Sequence, residues 1–103
     1  MSSGISLMKT EKILKEKREE ILRIAARHGA RTIKVFGSVA RRDADEKSDI
    51  DFLVEMEPGR SLFDMGGLSF DLQTLLHRKV DVVTPRGLKQ RIRDRVISEA
   101  VAL

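Results

Sequence analysis

Residues 37–51 read Gly-Ser-Val-Ala-Arg-Arg-Asp-Ala-Asp-Glu-Lys-Ser-Asp-Ile-Asp, and apolar segments rich in β-branched and aromatic residues flank them, Ile33–Phe36 before and Phe52–Val54 after. A Gly-Ser pair and an Asp-x-Asp are therefore held between two strands. Side chains alternate along a strand, so Asp49 and Asp51 share one face while Ile50, Phe52 and Val54 share the other. Like charges that close are unfavourable unless a cation neutralises them, and hard oxygen ligands suit Mg²⁺ or Mn²⁺. Gly37 and Ser38 supply the complementary half, because a strand-to-helix turn with a small residue and a hydroxyl offers backbone N–H groups to phosphate oxygens. A divalent metal beside a phosphate cradle points to nucleotide chemistry.

Each half has a plainer reading. An Asp-x-Asp on a half-exposed strand can be a solvated face, and Gly-Ser can be turn and cap chemistry, with Ser38 capping a short helix begun by Val39–Arg41. What favours the site is the order: strand, Gly-Ser, short helix, polar loop and Asp-x-Asp strand bring both halves to one cleft. Asp81 adds a third carboxylate inside Val80-Asp-Val-Val83, where it would need a partner or a metal if buried.

With these residues in place the chain resembles the nucleotidyltransferase superfamily that includes the DNA polymerase β palm. More narrowly, it is similar to the minimal nucleotidyltransferases (MNT) that accompany HEPN proteins in toxin–antitoxin pairs. That family's pattern, Gly-Ser-x-Ala-Arg-Gly, a variable loop, Ser-Asp-x-Asp and a later Asp, falls on Gly37, Ser38, Ala40, Arg41, Ser48, Asp49, Asp51 and Asp81. Arg42 departs from it, standing where the family usually has Gly. The resemblance implies that Asp49, Asp51 and Asp81 are catalytic and hold two Mg²⁺ ions, with Mn²⁺ an alternative, and that Gly37 and Ser38 hold the phosphates of ATP. Arg41 suits either a phosphate or a carboxylate that anchors the loop, since bidentate guanidinium geometry serves both. The implied acceptor is a hydroxyl of a cognate HEPN toxin, commonly a tyrosine.

At 103 residues the chain is expected to form one small domain with no room for a second, acceptor-binding one. The absence of cysteine excludes disulfides and thiolate metal sites. No apolar run approaches a membrane span and Met1–Lys9 lacks the apolar stretch of a signal peptide, so a cytoplasmic protein is the default expectation. The net charge of +4 permits nucleic-acid binding, but basic residues between Lys9 and Arg31 alternate with Glu11, Glu16, Glu19 and Glu20, as on a solvated helix face. Four Phe and no Tyr or Trp leave little to stack on bases, so nucleic acid is not the expected partner.

Met1–Lys9 is expected to be disordered, its first seven residues being an upstream start or vector-derived, and the minimal nucleotidyltransferase domain is expected to occupy residues 10–103. Thr10 is a candidate N-cap for a helix whose stripe is Ile13, Leu14, Ile21, Leu22, Ile24, Ala25 and His28, and Gly29 ends it. Ser61 with Asp64 makes a capping pair for a second helix, with Leu62, Met65, Leu68, Leu72, Leu75 and Leu76 facing the sheet. The Gly66-Gly67 pair reads as a packing or flexibility point rather than a phosphate loop. A strand over Lys79–Val83 follows; then Thr84 caps a last helix with Pro85 at its first position and Leu88, Ile92, Val96 and Ala100 on its buried stripe. Arg86 follows the Asp81 strand closely enough to reach a triphosphate. The order α-β-α-β-α-β-α fits an α/β fold, a small mixed β-sheet with helices packed on it, as in the polymerase β palm. The function expected is AMP transfer from ATP; an antitoxin acting by binding alone and a small nucleic-acid-binding module are its rivals.

Overall fold

The structure is a computed structural model describing residues 10–41 and 48–103. The expectations for Met1–Lys9 and for Arg42 lie outside these residues. Residues 10–16 (α1) and Arg18–Arg27 (α2) are helical. The Lys17 N–H donates to the Ile13 carbonyl at 2.9 Å and its carbonyl accepts from Ile21 at 2.8 Å, so bonding runs through the irregularity at Lys17. There follow β1 (Ala30–Phe36), β2 (Ile50–Met56), α3 (Leu62–Leu76), β3 (Val80–Val83), a 3₁₀ turn (Pro85–Gly87), α4 (Gln90–Glu99) and β4 (Val101–Ala102).

The sheet order is β3-β2-β1-β4, with β1 antiparallel to β2 and β4, and β2 parallel to β3. A parallel pair needs a crossover, and α3 supplies it. Ile33 and Val35 of β1, Ile50, Phe52 and Val54 of β2, and Val80 of β3 line one sheet face, where they join Leu14, Ile21, Ala25, Leu68, Leu72 and Leu76 in a single core. The fourfold spacing of Ile21 with Ala25, and of Leu68 with Leu72 and Leu76, stacks those side chains along one stripe of each helix. Full burial of one such aliphatic side chain stabilises by about 1.5–3 kcal/mol. Asp51, Leu53, Asp81 and Val83 alternate onto the other face.

The capping box of α3 is present: Ser61 Oγ accepts from the Phe63 N–H at 3.2 Å, and Asp64 Oδ2 accepts from the Ser61 N–H at 2.9 Å. That second bond is the largest cause holding the Asp64 carboxyl below its usual range.

Several expectations are corrected. Thr10 is already helical and buried, its hydroxyl accepting from Arg78, so it serves as a packing anchor and not as an N-cap. Leu62, expected on the sheet-facing stripe, is 82 % exposed, because a residue directly after the cap lies on the turn that leaves the core. Thr84 and Pro85 cap only the 3₁₀ turn; Leu88 is extended at ψ 144°, which breaks the path, and α4 starts afresh at Gln90. Of the stripe expected there, Val96 is buried whereas Ile92 is exposed. β4, outside the expected order, pairs Val101 with Val35 and Ala102 with Lys34. Residues 37–41 form a turn closed by the Arg41 N–H on the Gly37 carbonyl at 3.0 Å, in place of the short helix.

Candidate active site

The C-terminal end of β1 and the N-terminal ends of β2 and β3 meet at one edge of the sheet. Asp51 stands opposite Phe36 in β1 and opposite Asp81 in β3, so the Asp-x-Asp strand presents its second carboxylate directly beside the third. Asp49 lies two residues before Asp51, just ahead of β2, close enough for its charge to act on Asp51. Asp49 and Asp51 are half-buried; Asp81 is exposed, which removes burial as a reason for it to need a partner. Among the described residues, no Lys or Arg pairs with Asp81.

Gly37 ends β1 at φ +72°, a left-handed backbone that favours glycine. It also lies against the carboxylate: a Cβ at Gly37 would stand 2.5 Å from Asp51 Oδ2. Only a residue without a side chain fits there while Asp51 keeps its position. Beyond Gly37, the N–H groups of Ser38, Val39 and Ala40 make no backbone hydrogen bond, nor does the Ser38 hydroxyl make one, among the described residues. Those donors are unengaged next to the carboxylates, as an anion cradle requires.

Burial, then the charges of Asp81 and Asp49, push the Asp51 carboxyl above its usual range, and the Arg41 guanidinium opposes them. Arg41 Nη1 donates to Glu99 Oε1 on α4 at 3.2 Å. The Arg41 and Glu99 side chains are 45 % and 24 % exposed, so the pair contributes less than about 1 kcal/mol and acts chiefly to orient the turn. Among the described residues Arg41 thus meets a carboxylate 58 residues away, a contact of the anchoring kind that leaves its phosphate role open.

The donor set fits a hard divalent cation: oxygen-only, gathered at one end of the sheet, with mutual repulsion at Asp51 that a cation would relieve. The carboxylates do not yet converge, since among the described residues no three acidic or histidine side chains stand in metal-binding reach of one another. Arg86 belongs elsewhere. It lines a groove with Arg31, Met56 and Pro58 at the opposite end of β2 from Asp49, because β3 runs away from the carboxylates before the 3₁₀ turn. His28 Nε2 lies 2.6 Å from Asp71 Oδ2, a bridge between α2 and α3 that no third described side chain joins to make a metal-binding group.

The model of the nucleotidyltransferase domain family matches residues 7–103 of this sequence. The chain belongs to that family. This nucleotidyltransferase is 38% identical over 94% of its length to "Protein adenylyltransferase MntA" of Thermococcus cleftensis, 95% of which is covered. It is 48% identical to a solved structure described as a "putative minimal nucleotidyltransferase", with a TM-score of 0.82, covering 89% of this chain and 94% of the other. A toxin–antitoxin crystal structure with AMP-PNP, 21% identical, superposes with a TM-score of 0.70 over 82% of this chain and 69% of that one, and shares the fold. The resemblance carried by Gly37 through Asp81 therefore holds, and so does the mixed-sheet fold it implied. No described helix of the nucleotidyltransferase is long and apolar enough to cross a membrane.

Two residues around the site escaped sequence reasoning. Glu99 carries no local signal, being one acidic residue at the end of an exposed helix. Arg78 lies between α3 and β3, and among its partners are Thr10 and the Ser48 carbonyl, 68 and 30 residues distant. A backbone carbonyl leaves no trace in side-chain identity.

Proposed function

We propose that this nucleotidyltransferase transfers AMP from ATP to a hydroxyl of a cognate HEPN-family toxin, with Mg²⁺ or Mn²⁺ as cofactor, and so neutralises it. The observation that carries the reading is the register of β2 and β3, which sets Asp51 beside Asp81 while Gly37 leaves room for the Asp51 carboxylate. The name of the Thermococcus relative supports the nucleotide and the protein acceptor. Asp49, Asp51 and Asp81 would hold the metal, which when bound neutralises triphosphate charge and acidifies the attacking hydroxyl.

The chain's own groups then divide the work. Ser38 and the N–H groups after Gly37 bind the β and γ phosphates and present the α phosphorus for in-line attack. The acceptor oxygen bonds to that phosphorus, the bond to the bridging oxygen breaks, and pyrophosphate leaves. Asp81, exposed at the strand end, is the carboxylate open to an incoming hydroxyl and takes its proton. Arg41, tethered by Glu99, keeps the turn beside Asp51.

The test is to incubate the chain and a candidate HEPN-family partner with ATP and Mg²⁺ and to record intact masses. The expected result is a gain of whole AMP units on the partner, lost with Asp51→Asn. A complex that forms without any mass gain would replace transfer by neutralisation through binding alone.

A further inference from the structure

Asp49 precedes the first residue of β2. Its position depends on what holds the backbone on either side, and both holds come from one place. On its C-terminal side the Ile50 N–H donates to the Lys79 carbonyl at 3.0 Å. On its N-terminal side Arg78 Nη2 donates to the Ser48 carbonyl. Both partners sit in the short connection between α3 and β3, directly after His77, the left-handed C-cap of α3 at φ 54°. The same guanidinium donates through Nη1 to Thr10 Oγ1 at 3.1 Å, and Thr10 is 2 % exposed. Arg78 is thus a part-buried bracket with one arm on the core and one on the peptide that leads into Asp49.

We propose that Arg78 is a positioning residue for metal binding: by fixing the Ser48 carbonyl it sets where the Asp49 carboxylate stands relative to Asp51 and Asp81. The inference rests on the reading of these carboxylates as the metal site. A guanidinium suits the task because its planar fork engages two acceptors at a fixed angle, which an ammonium cannot do. Its loss should act on the metal before it acts on the fold, as outer partners of metal ligands do, with affinity falling by about tenfold or more.

The experiment titrates the nucleotide-free chain with Mn²⁺, followed by electron paramagnetic resonance, beside thermal melting of the same preparations. Wild type should bind Mn²⁺, and Asp51→Asn should not. Arg78→Gln should weaken binding about tenfold. Arg78→Lys, which keeps the charge but not the planar fork, should fall between and serves where the glutamine variant does not fold. Thr10→Val cuts only the core arm, so it should lower the melting temperature and leave Mn²⁺ affinity unchanged. If Arg78→Lys and Arg78→Gln bind Mn²⁺ as wild type does, whatever their melting temperatures, the positioning role is overturned and Arg78 is structural. If wild type itself binds no Mn²⁺, the metal reading falls and takes this inference with it.

Discussion

At Asp51 the cost of assembling the site is concentrated in one carboxyl. Its pKa is raised by burial and by Asp81 and Asp49, so at neutral pH its ionised form opposes folding. The sign follows from linkage: the penalty is full above the raised folded value and disappears as pH falls from there to the ordinary carboxylate range. Asp51→Asn should therefore melt higher than wild type at neutral pH and lose that advantage on acidification. Melting curves across that range check it, and a variant less stable than wild type at neutral pH would contradict the repulsion. Gly37→Ala tests the same carboxylate from the other side. Its left-handed backbone costs about 1–2 kcal/mol for a residue with a side chain, and the added methyl would displace Asp51 Oδ2. Expected together are a lower melting temperature and loss of Mn²⁺ binding; retained binding would show that Asp51 can move without consequence.

Within α3 two adjacent glycines should respond oppositely to the same change. A Cβ at Gly66 meets nothing within 4 Å, whereas one at Gly67 would lie 2.8 Å from His28 Cε1. Gly66→Ala should stabilise by about 0.5–1 kcal/mol through helix propensity. Gly67→Ala must push the imidazole off Asp71, so it should gain nothing or lose stability, and equal effects in chemical denaturation would refute the packing role. The sequence reading of this pair as a packing point was half legible: it holds at Gly67, and Gly66 is open. Elements with long periodic stripes, such as Leu68, Leu72 and Leu76, were readable because the core enforces their spacing. β4 was not, since two residues carry no periodicity, and the start of α4 was misplaced because Thr84 and Pro85 issue the same cap signal to a 3₁₀ turn as to a helix. The candidate site was legible to the extent that its parts adjoin in sequence or sit on strands. Arg78 and Glu99 act across tertiary space and left nothing local to read.

Across the whole molecule, the Gly37 turn and the Asp49 strand are held by separate devices. Arg41 closes its turn on Gly37 and pairs with Glu99, while Ser48 is gripped by Arg78, so each margin of residues 42–47 has its own moorings. The phosphate turn and the peptide leading into Asp49 thus each have contacts of their own among the described residues. A few glycines and serines inserted between Arg41 and Ser48 should leave Mn²⁺ affinity and the melting temperature near wild type, and a collapse of either would show that the span itself carries the geometry. A tolerated insertion would make this stretch a place where a reporter peptide or a new recognition segment can be grafted beside the reaction centre without redesigning the centre.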